Sequence, residues 1–133
     1  METSVKILVV SGTLILTYGF LLGFAMGRAR MGSAQAPRHL VTTHLEALIL
    51  GAILLGLTVA LELSTLPRGV EVAAAILVVA GGGLAVAGGT ANWLQKVGDP
   101  FAERSPGWLL QAASGPLSVA GIVLVAAGAV GGV

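Results

Sequence analysis

The sequence predicts an all-α integral membrane protein, a four-helix bundle with almost no soluble part, forming a single domain over residues 1–133. Composition is the first ground. The chain is 56% hydrophobic and only 10% charged, whereas a soluble domain carries about a quarter of its residues charged. Its mean hydropathy is +0.96, so lipid is the expected solvent for much of the exterior. The second ground is patterning. Charges and prolines divide the chain into four apolar runs, about 5–26, 39–63, 70–93 and 109–130. Each is close to the ~20 residues that cross ~30 Å of hydrocarbon at ~1.5 Å per residue. Transmembrane barrels need short alternating segments, and these runs are continuous, so the spans are helices.

Span one contains an uncharged stretch, Ile7 to Gly27, too long for the apolar core of a cleavable signal; it reads as an anchor that stays. Gly19, Gly23 and Gly27 recur at spacing four and mark a packing seam. Tyr18, the sole tyrosine, sits mid-membrane and needs a hydrogen-bond partner.

Span two opens on Thr43-His44-Leu45-Glu46, which fits a capping box with Thr43 and Glu46 each satisfying a free N–H. Alternatively the helix starts earlier, with Pro37 in its first turn, and Glu46 then lies inside and wants a partner such as Arg38. His44 reads either as an interfacial histidine bonded to a neighbour or as an axial ligand for haem iron. Ala47, Leu48, Gly51 and Leu55 share its face and are small or apolar, so that face could accept a flat macrocycle. His39 lies about 140° round the helix, so the two histidines cannot form a helical metal pair.

Span three holds Gly81-Gly82-Gly83 and Gly88-Gly89. Small residues four apart (Gly81, Ala85, Gly89) permit close helix contact, or the missing side chains leave a cavity for a cofactor. Asn92 follows as a bridge between helices or as a substrate-binding amide. The third loop, 94–107, is the longest connection, and Trp93, Phe101 and Trp108 flank it as an interfacial aromatic belt. In span four, Gly115-Pro116 should kink or unwind the helix, and the tail from Gly128 should fray.

Arg28, Arg30 and Arg38 lie in the first loop and Lys96 and Arg104 in the third, against Lys6 and Arg68 on the other side. The positive-inside rule then puts both termini outside a bacterial-type inner (plasma) membrane. Seven basic and six acidic residues nearly cancel, which leaves no footprint for nucleic acid. The absence of cysteine excludes disulfides, iron–sulfur clusters and thiolate catalysis. There is no phosphate-binding glycine loop, no nucleophile with a paired base, and no carboxylate pair within a span.

The stretch His44-Leu45-Glu46-Ala47-Leu48-Ile49-Leu50-Gly51, opening the second of four short spans, resembles the hydroxylaminobenzene mutases and styrene oxide isomerases. Thr90-Ala91-Asn92-Trp93 and the span-four opening after a polar loop are similar too. The resemblance implies a bundle that associates, as a trimer, with haem b between subunits and the residue matching His44 as axial ligand. Around that ligand, Ala47, Leu48, Gly51 and Gly89 would be the cofactor-binding set. It also implies redox-neutral isomerisation of a small aromatic epoxide or hydroxylamine, with ferric iron as Lewis acid. The family has an asparagine near the position of Leu50 and a tyrosine just before the Asn-Trp pair, where this chain has Gly89 and Thr90. That leaves Asn92 and Tyr18 as the candidate catalytic groups. Two other functions fit the same span count: a small multidrug-resistance-type transporter, which needs an acid deep in a span, and a non-catalytic haem-binding subunit.

Overall fold

A computed structural model describes residues Met1–Val133. It is all helical: α1 (Thr3–Gly32), α2 (Arg38–Glu62), α3 (Arg68–Leu94), α4 (Pro100–Glu103) and α5 (Pro106–Gly131). Four of these helices, α1, α2, α3 and α5, are long and apolar enough to cross a membrane. The protein is a four-helix transmembrane bundle. Phe20 and Phe24, 68% and 70% exposed, are among many large apolar side chains on its outside. Water would penalise that surface, and hydrocarbon does not.

The helices outrun the apolar runs at their ends. Helix α1 keeps Arg28 and Arg30 within its last turns, where long basic side chains reach the interface while their stems stay in apolar surroundings. Helix α2 starts at Arg38 with Pro37 as its N-cap residue. The Thr43–Glu46 capping box therefore does not form. Thr43 is already inside the helix and donates its hydroxyl to the His39 carbonyl at 2.6 Å. Helix α5 runs through Pro116 without a break, so the expected unwinding is absent. The third loop is not featureless. Asp99 Oδ1 accepts from the N–H groups of Phe101 and Ala102, Glu103 Oε2 accepts from those of Gly98 and Asp99, and the single turn α4 results.

Packing is most extensive between α3 and α5 and between α1 and α2; α3 also touches α1 and α2. Glycine sets the close approaches. A methyl at Gly88 would come 2.5 Å from the Gly107 carbonyl, and one at Gly51 would come 2.6 Å from Leu16 Cγ. Methyls at Gly81 and Gly121 would collide with Ser118 and Val78. These seams lie within one subunit. The sequence-level seam Gly81–Ala85–Gly89 splits, with Gly81 against α5 and Gly89 against Thr43 of α2. Val5, Leu8, Leu54, Leu61, Ala74, Ala75, Val78 and Val125 form a buried apolar core. It lies toward the end where both termini meet the α2–α3 turn, with Thr65 N–H bonded to the Gly128 carbonyl and Arg68 to Thr3 and Glu2.

Candidate functional site

His44 lies six residues beyond Arg38, which opens α2, about 9 Å along the helix axis. Its Nδ1 is 2.7 Å from the Gly19 carbonyl oxygen on α1. A carbonyl only accepts, so Nδ1 carries the proton, and Nε2 of the neutral ring is a bare lone pair. Nε2 has no hydrogen-bond partner and is not fully buried; the residue as a whole is half-buried. Gly23, one turn beyond Gly19, makes room for the ring; a methyl there would stand 2.8 Å from His44 Cε1. Gly23 also borders a groove of about 800 Å³ along the end of α1, lined with Phe24, Gly27, Arg28 and Met31. Nothing lies within 4 Å of a methyl at Gly27.

The face expected beside His44 is closed by α1. Ala47 is fully buried and Leu48 meets Gly19, while Gly51 lies against Gly12 and Leu16. These three residues position α2 on α1; Gly23, against which the imidazole packs, also lines the α1 groove, but His44 itself is not part of that lining. Gly89 is likewise filled, by Thr43. Helical spacing gives which residues share a face, but not which neighbour takes that face.

Asn92 is 1% exposed. Its Oδ1 accepts from the Ser105 hydroxyl at 2.7 Å and its Nδ2 donates to Gln111 Oε1 at 3.3 Å. Ser105 also caps α5 by accepting from Trp108 N–H. The amide thus ties the end of α3 to the start of α5, and both of its ends are engaged. Ser105 and Gln111 are the partners that sequence reasoning missed, although Ser-Pro is a helix-start signal.

Tyr18 finds its partner in Thr90, with the two hydroxyls 2.6 Å apart. Thr90 already donates its one proton to the Val86 carbonyl at 2.8 Å, so the phenol donates to Thr90 and keeps only lone pairs for anything else. Both residues line an apolar groove of about 540 Å³ between α1 and α3, with Leu14, Gly83, Ala87 and Leu94.

Glu46 has no ion-pair partner, the one salt bridge being Arg68 with Glu2. Its Oε2 is buried with no hydrogen bond. His39 is tied elsewhere, with Nε2 donating to the Val97 carbonyl at 2.8 Å. No group of three or more His, Cys, Asp or Glu side chains converges. No family model, curated protein or solved structure matches the chain.

Proposed function

We propose that this protein is a haem-b-dependent membrane isomerase acting on a small aromatic hydroxylamine or epoxide. The observation that carries the reading is the His44 ring inside a span, held through Nδ1 to Gly19 O with Nε2 unpartnered and not fully buried. A ligating histidine usually donates its other N–H to a carbonyl or carboxylate, which fixes the ring and raises its basicity. The donor set suits a macrocycle better than a naked ion, because one imidazole alone cannot hold a metal and a porphyrin brings its own four nitrogens. His44 would hold the iron, with Gly23 seating the imidazole and the open position at Gly27 leaving room nearby. Arg28 at the groove rim would meet an acidic substituent of the ring system.

When bound, ferric haem supplies a Lewis acid that polarises an N–O or C–O bond. The chain's own part is to exclude water and orient the substrate. The α1–α3 groove, a separate concavity that shares no lining residue with the one at Gly23–Gly27, is apolar and of a size for one aromatic ring system. Tyr18 offers a hydrogen-bond acceptor there. That polarity favours a substrate with an N–H or O–H, a hydroxylamine, over an epoxide, which has neither. Asn92, held by Ser105 and Gln111, positions α3 and α5.

We place both termini outside a bacterial-type inner membrane, because the first and third loops carry the basic excess. Assembly as a homo-oligomer, a trimer by the family resemblance, would then cover surface that one subunit leaves open, such as the Gly27 groove. The decisive experiment supplies haem to the purified protein and follows rearrangement of an aryl hydroxylamine. Turnover that needs both haem and His44 supports the reading, and a haem-loaded protein without turnover reduces it to a haem-binding subunit. The unpartnered Glu46 oxygen favours a second reading, a proton-coupled transporter. Export of a cationic drug that is lost in Glu46→Gln and indifferent to His44→Ala would replace the first reading with the second.

A further inference from the structure

A second polar feature, unconnected with His44, lies where α2 begins and α3 ends. Arg38, His39, Trp93 and Lys96 line one cavity of about 480 Å³. Two of these four side chains are permanent cations, and neither has a carboxylate within ion-pairing distance. Two carboxylates stand in the adjoining loop, Asp99 beside Arg38 in a neighbouring cavity and Glu103 accepting from Gly98 N–H, and neither is ion-paired with Arg38 or Lys96. Two cations that line one concavity without a direct ion pair make a site suited to an anion.

The backbone at Lys96 points the same way. Its φ is +52°, in the left-handed region that follows a helix end. Glycine or asparagine ordinarily occupies that position, because a Cβ is strained there. Lys96 occupies it nonetheless and lines the cavity beside the end of α3. Depth identifies the anion's carrier. Trp93 is half-buried in the last turn of α3, and Leu94, its neighbour, is 66% exposed on the outside of the bundle. An indole, two cations and an apolar shoulder at the end of a span match the headgroup layer of a bilayer. His39, bonded through Nε2 to the Val97 carbonyl, holds the loop against α2 and so keeps the two cations together.

We infer that this cavity binds the phosphate of an anionic phospholipid, with Arg38 and Lys96 as its charge partners and Trp93 against the glycerol region. The site is independent of the haem reading, and its test uses no activity. The full-length protein is reconstituted in bilayers containing phosphatidylglycerol and phosphatidylcholine, extracted in mild detergent, and the lipid retained per chain is measured by native mass spectrometry. Wild type retains phosphatidylglycerol preferentially. Arg38→Gln and Lys96→Gln each weaken that preference about five-fold, the worth of one basic residue near an anionic headgroup. Arg30→Gln, at the exposed end of α1, leaves it unchanged. Lys96→Gly separates binding from folding, because it relieves the left-handed strain: it should melt no lower than wild type and still lose the lipid preference. Equal retention of both lipids, or a preference that survives Arg38→Gln and Lys96→Gln together, overturns the inference. Displacement of the lipid by millimolar inorganic phosphate would assign the cavity to a free anion and overturn it as well.

Discussion

Replacing Asn92 by alanine should cost the protein stability through two specific bonds. The side chain is 1% exposed, accepts from Ser105 Oγ at 2.7 Å and donates to Gln111 Oε1 at 3.3 Å. Each such bond contributes about 0.5–1.5 kcal/mol net, and polar pairs inside membranes average ~0.6 kcal/mol. Truncation also leaves the Ser105 proton and the Gln111 oxygen without their partner, which brings the expected loss to about 1–3 kcal/mol. The two bonds are not equal. The longer one to Gln111 is the weaker, so Gln111→Ala should cost less than Asn92→Ala. Ser105→Ala should cost about 1–2 kcal/mol, because it removes the α5 cap as well as the Asn92 bond. Reversible unfolding in mixed detergent micelles gives these values, and an Asn92/Ser105 double-mutant cycle should return a coupling above about 0.5 kcal/mol. If Asn92→Ala is as stable as wild type yet loses turnover, the amide serves the substrate and the bridging account fails.

The remaining predictions are shorter. Gly81→Leu should prevent the α3–α5 pair from closing, since even a methyl there collides with Ser118, whereas Gly83→Leu should fold normally because nothing lies within 4 Å of that position; equal behaviour of the two would show that the seam is misplaced. Tyr18→Phe should cost at most about 1 kcal/mol, because Thr90 keeps its bond to Val86, and should raise KM for a hydroxylamine substrate while leaving an epoxide's unchanged. A uniform loss on both substrates would contradict the acceptor role. Cysteines placed at Ser33 and Ser64 should label from opposite sides, with Ser64 reached from outside intact cells; labelling of Ser33 from outside would reverse the topology.

The fold was legible because it follows from quantities a sequence displays directly. Four apolar runs, bounded by charge and proline, can only become spanning helices when no water is available to satisfy the backbone. Boundaries were less legible. The sequence left two starts open for α2, a capping box at Thr43 and an earlier start at Pro37, and the earlier one prevails, as the hydrogen bond from Val41 N–H to the Pro37 carbonyl shows. The apolar run of span four begins at about Leu109, though Ser105-Pro106 signals a helix start three residues sooner, at Pro106.

At the candidate site, His44 was picked out by residue type and depth, but its surroundings were not. One helix face can be read from spacing, yet whether α1 or open space covers it depends on which glycines face which neighbour. Gly19 and Gly51 brought α1 onto Ala47 and Leu48, Gly23 seated the imidazole, and of the span-one seam only Gly27 stayed open. The donor direction at Tyr18 was equally hidden, since it depends on Thr90 having spent its proton on Val86.

The central claim is that His44 Nε2 ligates haem iron, and the Soret absorption of haem-supplied protein tests it most directly. Wild type and His39→Ala should show the same band at one haem per subunit. Gly23→Val, which pushes a side chain onto the imidazole, should load poorly, and His44→Ala should lose the band while remaining a folded membrane protein. A His44→Ala protein with full haem and an unchanged spectrum, or a wild type that never takes up haem, would contradict the account.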